Sequence, residues 1–468
     1  MKANAPLNEK RSYRWIVFLT IVIGTFMVNV DSSIVNVALP ILQLRYHVTL
    51  NLLQWVVTGY LLVITAILPM IGSMSDKLDR KKMFIAGISL FTLASILCAL
   101  SPGFNELVIF RMLQAFGGAL IQANVMSIVA FTFPKGQRGK PLGLISSVVA
   151  IGTIVGPAVG GIVLALMGWR YIFWVNVPFG IISIVLSIFV LKPISRGIGM
   201  KEFDWWGSVW FLVATITLLL YISSGDSLGF TSITGILLLI VSLISWIAFI
   251  RRQSHVKGPL IDLSLFLSPR FSISNIAGYI SYIIMIFPSM ILPLYIEQLL
   301  HIPVSQMGLL LMVQSIVMVL IAPLGGWLSD HKGAFLPTVS GMVLMTIAML
   351  DMFSLGRNNG MITIIVAQTL LGAGLGLFTS PNNVVVIESV PIQKSGLTGS
   401  LIATIRNFGR VTGVAFAMLL LQAAVGTQIH YPATQFINGI HLVFGTGILL
   451  GLAGTILVSI RKSGLLHA

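Results

Sequence analysis

Long apolar runs constrain the fold of this chain more than any other feature of its sequence. A transmembrane helix needs about 20 apolar residues, and fourteen runs reach about that length. They lie at roughly 15–38, 51–72, 83–101, 105–131, 142–166, 171–191, 205–223, 231–250, 271–297, 306–328, 335–354, 361–387, 396–423 and 438–460. Only 9% of the residues are charged, whereas a soluble domain carries about 25%. The sequence therefore predicts an all-α polytopic membrane protein embedded in a lipid bilayer.

The basic residues collect in every second loop and account for the net charge of +15. When the N-terminus is placed in the cytoplasm, 22 of the 28 Lys and Arg residues fall in inside segments and three in outside loops. Cytoplasmic loops carry such an excess, so residues 1–14 and 461–468 are predicted to be cytoplasmic. This pattern accounts for the charge without a nucleic-acid partner. A single cysteine, Cys98, excludes a disulfide framework.

An internal repeat links the two ends of the sequence. The glycines and prolines before and within the fifth run recur 257 residues later, and GSMSDK recurs as GWLSDH 254 residues later. The matched pairs are Pro134 and Pro391, Gly139 and Gly396, Gly152 and Gly409, Gly156 and Gly413, Gly72 and Gly326, and Asp76 and Asp330. Repeated transmembrane halves are typical of transporters that bind substrate between the halves.

The offset also predicts the domain organisation, because the fifth run maps onto the thirteenth, eight helices later. Two helices are therefore extra if each half has six. We predict an N-terminal six-helix bundle at 15–191 and a C-terminal six-helix bundle at 271–460. Residues 192–270 between them form a linker that contains the two extra transmembrane helices, 205–223 and 231–250.

The loop between the second and third runs reads GSMSDKLDRKK, from Gly72 to Lys82. It resembles the loop motif of the major facilitator superfamily, in which glycine, aspartate and basic residues stand at fixed places. The matching residues are Gly72, Asp76, Arg80 and Lys81. Asp79 stands where that motif has its second glycine.

Four further stretches resemble the same superfamily. LVIFRMLQAFGGA carries Arg111 and Gln114 at the motif positions of the fourth helix. DSSIVNVALP from Asp31 and WRYIFWVNVPFG from Trp169 are similar to stretches of the branch with fourteen helices. GTIVGPAVGG is similar to the antiporter motif, with matches at Gly152, Gly156, Pro157, Gly160 and Gly161. On these motifs the chain is identified as a member of the drug:proton antiporter branch with fourteen transmembrane helices.

The resemblance implies a function and a mechanism. It implies proton-coupled efflux of amphipathic, often cationic, drugs by alternating access in the cell (inner) membrane, driven by the proton gradient without a cofactor. It also implies a cytoplasmic gate in which Asp76 pairs with Arg80 and faces the helix that starts near Gly396. We expect the protein to act as a monomer.

An acid inside the first apolar run needs an explanation of its own. Asp31 and Arg111 lie at about the same depth, roughly 10 Å below the outer surface at 1.5 Å per residue, so they can meet. Burial favours a neutral acid and a nearby cation favours a carboxylate. An acid between these influences can exchange a proton, so we predict that Asp31 and Arg111 couple transport to protons. Glu297 is a second candidate. A structural ion pair remains an alternative.

Other polar and aromatic residues in the apolar runs are candidates for the substrate cavity. Arg406 and Arg410 are four residues apart, and a small residue would be expected at position 410. The predicted cavity residues are Phe26, Asn36, Trp55, Tyr60, Gln114, Phe116, Gln122, Asn124, Tyr282, Phe287, Met312, Asn382 and Arg406.

Three alternatives stay open at this point. The same scaffold could export or flip an endogenous lipid or metabolite, since a fold does not determine a substrate. A membrane enzyme is disfavoured, because no metal-ligand cluster, nucleophile motif or P-loop appears in the sequence. An importer is disfavoured by the antiporter motif, so we predict an exporter that is not an enzyme.

Overall fold

A computed structural model describes residues 11–48, 50–53, 55–193, 203–228, 232–256, 258–300, 304–356, 361–425 and 433–461. Within these ranges the chain is helical and contains no strand. The α-helices are α1 (Arg11–Tyr46), α2 (Leu50–Leu53), α3 (Trp55–Lys77), α4 (Arg80–Ala99), α5 (Phe104–Thr132), α6 (Gly139–Leu166), α7 (Tyr171–Trp174), α8 (Asn176–Val190), α9 (Trp205–Leu228), α10 (Ile233–Gln253), α11 (Pro269–Gln298), α12 (Val304–Lys332), α13 (Phe335–Phe353), α14 (Met361–Glu388), α15 (Ser395–Val425) and α16 (Ala433–Ile460). Two 3₁₀ turns cover Leu263–Leu267 and Ile392–Lys394.

Thirteen helical segments in the described ranges are long and apolar enough to cross a membrane. They coincide with thirteen of the fourteen predicted runs, and the short helices α7 and α8 together form one of them. The remaining run, 396–423, corresponds to α15, which has 31 residues and is long enough to cross. Arg406 and Arg410 interrupt its apolar surface, and it is not among the thirteen. The prediction of an all-α membrane protein is therefore confirmed.

The chain divides into two compact units. Unit 1 consists of residues up to 135, 151–264 and 390–404, and unit 2 consists of 136–150, 265–389 and 405 onward. Two short segments, 136–150 and 390–404, thus belong to a different unit from the residues that follow them. Each of these segments contains the start of a helix, α6 or α15, that continues in the other unit.

The predicted extra helices are present as α9 and α10, which pack against each other in unit 1. A buried acid just before α9 ties the two together. Asp204 accepts hydrogen bonds from Gly207 N–H at 2.9 Å, Arg252 Nε at 2.7 Å and Gln253 Nε2 at 2.9 Å. Burial raises the pKa of the Asp204 carboxyl, but these hydrogen bonds outweigh that effect and hold it below its ordinary value. The hairpin is therefore closed by its own polar network.

Unit 2 is built around a hydrophobic core between α11, α13, α14 and α16. Its largest fully buried side chains are aromatic, namely Phe287, Tyr295, Phe378, Phe436 and Phe444. Glycines let these helices approach closely, as small residues do in membranes. A Cβ at Gly341 would lie 2.7 Å from the carbonyl oxygen of Gly374, so α13 and α14 touch through their backbones.

Candidate functional site

The acid of the first helix lies in unit 1 and is completely buried. Asp31 has a relative exposure of 0% and Arg111 of 1%. Arg111 Nη1 donates to Asp31 Oδ2 at 2.5 Å, which joins α1 to α5 through a salt bridge. The structure thus brings together the two residues whose matched depth suggested that they meet.

Two amides complete the coordination of this carboxylate. Gln114 Nε2 donates to Asp31 Oδ1 at 2.9 Å, and Asn176 Nδ2 donates to the same oxygen at 2.7 Å. Gln114 also accepts from Arg111 at 2.6 Å and donates to Ser95 Oγ at 2.7 Å. Residues of α1, α4, α5 and α8 therefore form one buried network, which we call the Asp31 cluster: Asp31, Ser95, Arg111, Gln114 and Asn176.

Aromatic rings and a backbone carbonyl enclose the guanidinium of Arg111. Its Cζ lies 4.4 Å from the ring centroid of Tyr60 and 5.8 Å from that of Phe173. Arg111 Nε donates to the carbonyl of Val56 at 3.3 Å. The Tyr60 hydroxyl is buried and makes no hydrogen bond among the described residues. Cation–π contacts of this kind are stronger when desolvated, so the rings help to hold Arg111 in a charged state.

The chemistry of the Asp31 cluster follows from its bonds. Three hydrogen-bond donors point at the carboxylate of Asp31. The positive charge of Arg111 balances it, and a buried pair needs such compensation because desolvation of each ion is expensive. Oδ1 accepts two of these bonds and Oδ2 accepts one, so one of the roughly four acceptor sites of the carboxylate is left on Oδ2. The cluster therefore ties the carboxylate to four helices, so a shift of any one of them would change its hydrogen bonds.

A second polar network lies at the loop motif between α3 and α4, also within unit 1. Asp76 Oδ1 accepts from Gly396 N–H at 2.8 Å, and Oδ2 accepts from Leu397 N–H at 2.9 Å. The carboxylate thus caps the first turn of α15, where free N–H groups and the helix dipole favour a negative charge. Gly72 lies one turn earlier on α3, and a Cβ there would overlap the side chain of Ser400.

Arg80, the first residue of α4, connects this network to α5. It forms a 2.5 Å salt bridge with Asp76, donates through Nε to Ser127 Oγ, and reaches the carbonyl of Gln393 at 3.3 Å. Ser127 Oγ is also 2.8 Å from Ser395 Oγ. The structure therefore brings together Gly72, Asp76 and Arg80 at the start of α15, as the family resemblance implied.

Lys81, also predicted to belong to the gate, makes a different contact, and its assignment to the gate stays a prediction. Its Nζ donates to the carbonyl of Ile188 at 2.6 Å, at the end of α8. Lys81 follows Arg80 directly on α4, and its side chain meets a different neighbour because successive helix positions are about 100° apart. Asp79, the departure from the family motif, accepts from Lys81 N–H at 3.0 Å and caps α4. An acid in place of glycine there starts the helix.

The repeat reproduces the aspartate cap inside unit 2. Asp330 accepts from Gly139 N–H at 2.7 Å and from Lys140 N–H at 2.9 Å, at the first turn of α6. A Cβ at Gly326 would overlap the backbone of Gly139, just as one at Gly72 would lie 2.8 Å from the carbonyl oxygen of Gly396. The sequence repeat thus corresponds to a repeated structure, an aspartate at the end of one helix that caps the start of another.

Three glycines of the antiporter motif bring α6 against α1 in unit 1. A Cβ at Gly152 would lie 2.8 Å from Asn29 Cβ, and one at Gly160 would lie 2.7 Å from Ile34 Cγ1. A Cβ at Gly156 would overlap the hydroxyl of Ser33, which donates to the carbonyl of Gly152 at 2.9 Å. These glycines form a close helix seam, whereas a Cβ at Gly161 would meet nothing within 4 Å. Pro157 lies inside α6, partly buried.

The predicted cavity residues divide by exposure. Asn36 and Phe116 are exposed, and a second group is partly exposed: Phe26, Trp55, Gln122, Met312 and Arg406. Tyr60 and Tyr282 are buried, at 2% and 8% exposure. For the accessible residues the assignment to a cavity stays a prediction.

Four further cavity candidates are buried in this structure, and their assignment to a cavity also stays a prediction. Phe287 is 0% exposed within the core of unit 2, and Gln114 is 0% exposed in the Asp31 cluster. Asn124 is 0% exposed and donates to the carbonyl of Leu120 in its own helix. Asn382 donates to the carbonyl of Ser274 at 2.9 Å and lies 3.4 Å from Arg461 Nη1. These side chains are used for packing and internal hydrogen bonds.

Two members of the Asp31 cluster were missed by sequence reasoning. Asn176 and Ser95 belong to the Asp31 cluster, and both are polar residues inside apolar runs, which was the available signal. The side chain of Glu297, the second candidate for proton coupling, lies outside the described residues. Its role stays a prediction.

Taken together, repeated long apolar helices, paired aspartate caps and a buried ion pair define a polytopic membrane transporter. The chain belongs to the Major Facilitator Superfamily, whose family model matches residues 21–414 and 274–463. The identification made from the sequence motifs is thereby confirmed at the level of the superfamily.

Known proteins similar to this chain are transporters. Riboflavin transporter RibZ of Clostridioides difficile (strain 630) is 36% identical over 404 residues, which cover 86% of this chain and 87% of RibZ. Multidrug resistance protein Stp of Mycobacterium tuberculosis (strain CDC 1551 / Oshkosh) is 28% identical over 404 residues, covering 86% and 74%. The crystal structure of the human organic anion transporter MFSD10 matches with a TM-score of 0.69 at 14% identity, covering 95% and 99%. At that identity the match shows a shared fold alone.

Proposed function

We propose that this protein exports amphipathic organic compounds, drugs among them, across the cell membrane in exchange for protons. It acts as a transporter and not as an enzyme, and the proton gradient takes the place of a cofactor. The observation that carries the proposal is the Asp31 cluster, in which a carboxylate with 0% exposure is held in α1 by Arg111 and two amides.

The cost of burying such a group argues for a role beyond packing. A charge in the membrane interior costs about 3 kcal/mol or more, and such residues mark substrate or proton pathways by default. An apolar pair of similar volume is often at least as stable as a buried ion pair. Asp31 is therefore proposed as the proton carrier. When the proton leaves, the positive charge of Arg111 neutralises the carboxylate in its place.

The cytoplasmic network supplies the other half of the proposed cycle. In the described state Asp76 caps α15 through Gly396 and Leu397 N–H and is paired with Arg80. We propose that this cap forms when the cytoplasmic side is closed and breaks when that side opens. Alternating access between two repeated halves is the general mechanism of secondary transporters.

The names of the relatives support export of drugs and also favour a second candidate. Stp is named a multidrug resistance protein, which agrees with amphipathic drugs as substrates. RibZ is named a riboflavin transporter, and its 36% identity is the specific observation that favours a single metabolite, riboflavin or a related heterocycle. Both candidates use the same scaffold, so transport measurements have to separate them.

The test uses purified protein reconstituted alone in liposomes, with an imposed pH gradient. Proton movement is followed with a trapped pH-sensitive dye after addition of rhodamine 123, a cationic amphipathic dye, or of riboflavin. Proton movement that depends on rhodamine 123 supports drug antiport. Proton movement that depends on riboflavin alone supports the second candidate. Substrate movement that no pH gradient alters would contradict proton coupling.

The carrier is identified with variants that keep the network neutral. Asp31→Asn with Arg111→Gln removes both charges together, and Glu297→Gln removes the second candidate. We expect the double variant to abolish substrate-dependent proton release in detergent and Glu297→Gln to preserve it. If the double variant releases as many protons as the unmodified protein, Asp31 is only a structural partner of Arg111.

A further inference from the structure

Two arginines lie near the centre of α15, where a membrane helix is least suited to charge. Arg406 and Arg410 are 11 and 15 residues from the first residue of the helix, about 17 and 23 Å along its axis at 1.5 Å per residue. Arg410 is the middle residue of this 31-residue helix. Their spacing of four places them on one helix face. At this depth charged side chains face a partner, a water-filled cavity or a substrate pathway.

Nothing negatively charged in the described chain balances Arg410. Its electrostatic neighbours are Arg406, a second cation, and Tyr282, a neutral phenol on α11. Its Nε is buried without a hydrogen-bond partner, while the side chain as a whole stays partly exposed. The salt bridges among the described residues include none to Arg410. The guanidinium of Arg410 therefore has an unused donor at Nε and no counter-charge among the described residues.

Close packing places Tyr282 beside these arginines. A Cβ at Gly409 would lie 2.8 Å from Tyr282 Cβ and 3.0 Å from the carbonyl of Tyr279. One turn further on, Tyr279 Oη donates to Thr412 Oγ1 at 2.9 Å. The α15 face around position 409 is therefore held rigidly against two tyrosines of α11, which is what a preformed binding site requires.

The internal repeat has uncharged residues at the positions that match these arginines. Position 410 corresponds to Thr153 and position 406 to Val149 at the offset of 257. The glycine contacts of α6 with α1 and of α15 with α11 match, since Gly152 meets Asn29 as Gly409 meets Tyr282. These contacts pair Asn29 with Tyr282, so Asp31, two residues after Asn29, corresponds to Ile284, which is 0% exposed. The first repeat thus carries a neutralised ion pair, and the second carries cations at positions where the first has none.

We propose that Arg406 and Arg410 bind the anionic group, a carboxylate or a phosphate, of the transported compound, with Tyr282 against the adjoining part of that molecule. The inference rests on the proposed function, export of amphipathic organic compounds, and it names their charge class. Guanidinium groups bind carboxylates and phosphates through paired, charge-assisted hydrogen bonds. Two adjacent guanidiniums repel a cation, and they are relieved of mutual repulsion when an anion binds. The charged end of the substrate selected in unit 2 is therefore negative.

The experiment measures binding in detergent, without a membrane or a gradient, so it is independent of transport. The probes are fluorescein, an anion, and rhodamine 123, a cation, which share a xanthene ring system of similar size. Binding to the purified protein is followed by fluorescence anisotropy. We expect fluorescein to bind more tightly than rhodamine 123. If fluorescein does not bind, or binds more weakly than rhodamine 123, the proposal is overturned.

Variants of α15 assign the binding to the two arginines. We expect Arg410→Gln and Arg406→Gln each to weaken fluorescein binding about tenfold or more, as truncation of one member of a charge pair does. Arg410→Lys should lie between, because it keeps the charge and loses the forked geometry. Arg251→Gln is the matched control, since it removes one positive charge at an exposed position at the end of α10. This variant should leave the binding of both dyes unchanged.

Rhodamine 123 distinguishes loss of the anion site from loss of the fold. Its dissociation constant should stay the same or fall in Arg410→Gln, since a repulsive charge has been removed. If Arg410→Gln weakens the binding of both dyes equally, or changes the binding of neither, the proposal is overturned. If Arg410→Gln and Arg406→Gln do not fold, the test rests on Arg410→Lys. It supports the proposal if it weakens the binding of fluorescein and leaves the binding of rhodamine 123 unchanged, and it overturns the proposal otherwise.

A lipid headgroup offers the same chemistry and is tested separately. Phosphatidylglycerol is added to the detergent, with phosphatidylcholine as the uncharged match. If phosphatidylglycerol alone displaces fluorescein from the unmodified protein, the site holds an anionic lipid and the proposal is overturned. Failure of the proposed export would appear elsewhere, as absent pH-driven transport in liposomes, and would leave the binding result intact.

Discussion

Asp76 and Gly396 are 320 residues apart in the chain, and the carboxylate of the first accepts the backbone N–H of the second at 2.8 Å. This bond fixes the first turn of α15 in the described state. Arg80 pairs with the same carboxylate, so the loop motif, the helix start and the buried serines Ser127 and Ser395 form one connected network.

Removal of this cap should release the start of α15. Asp76→Asn removes the charge and keeps the shape, and a capping residue of this kind contributes about 1 kcal/mol, about a fivefold shift in a two-state equilibrium. We expect faster labelling of Thr398→Cys, a buried position in the first turn, by a thiol reagent added from the cytoplasmic side. Cys98 is replaced by Ala in this background.

The matched control for the cap lies nearby. Asp262 forms an ion pair with Lys394, but both side chains are partly exposed, at 27% and 41%. Exposed pairs contribute about 1 kcal/mol or less, so Asp262→Asn should leave the labelling of Thr398→Cys unchanged. If Asp76→Asn and Asp262→Asn give the same rate, the loop motif is a solvated turn and does not hold α15.

Two glycines of one motif should respond in opposite ways to the same change. Gly156→Ala would drive a methyl group into Ser33 and should destabilise the protein by about 1–3 kcal/mol, as overpacking does. Gly161→Ala meets nothing within 4 Å and should be neutral or stabilising, because alanine favours helix. Thermal unfolding in detergent measures both, and equal melting temperatures would contradict the close seam between α1 and α6.

Neutralising Asp31 alone should destabilise the protein, although its amide is cheaper to insert into a membrane than a charge. Asp31→Asn leaves Arg111 buried without its counter-ion, and breaking a buried pair this way costs about 3–5 kcal/mol. Asp31→Asn with Arg111→Gln should recover most of that loss. Cys98, the single cysteine and 0% exposed, reports unfolding through a thiol-reactive dye. A fully stable Asp31→Asn would mean that the pair contributes little.

The hairpin of α9 and α10 should depend on Asp204. Hydrogen bonds to a charged group contribute about 1.5–3 kcal/mol each, so Asp204→Ala should lower the stability of the hairpin and increase proteolysis near residue 204. Because the pKa of this carboxyl is lowered on folding, its contribution is complete above about pH 4, the ordinary range for Asp, and is lost as the pH falls below that value. Hydrogen exchange in α9 at acidic and neutral pH measures the effect.

Deletion of that hairpin tests whether it is an insertion. Joining residue 203 to residue 254 through a short polar linker removes Asp204 together with its partners Arg252 and Gln253, so no polar group of the network is left unpaired. We expect the remaining helices to fold and to bind rhodamine 123. An aggregated protein without binding would mean that the contact of α9 with α3 is essential to unit 1.

The sequence predicts helices well here because apolar runs of membrane length have few alternatives. It also predicts that Asp31 meets Arg111, since equal depth and opposite charge are both readable from the chain. Asn176 could not be assigned to that pair, because its position depends on how α8 is rotated against α1. The burial of Phe287 and Gln114 and the separate contact of Lys81 depend on helix rotation in the same way. A residue type does not reveal which face of a helix it occupies.

The position of Arg406 and Arg410 has a consequence for biogenesis. Each arginine at the centre of a helix adds about 2.5–3.5 kcal/mol to the free energy of insertion through the translocon, so α15 carries a burden of about 5–7 kcal/mol before any apolar residue offsets it. A helix with that burden is poorly retained in lipid by itself. Its glycines at 409 and 413 fit against α11, which is synthesised more than a hundred residues earlier. Integration of α15 should therefore wait for α11 to be in place and proceed by pairing with it rather than as a single helix.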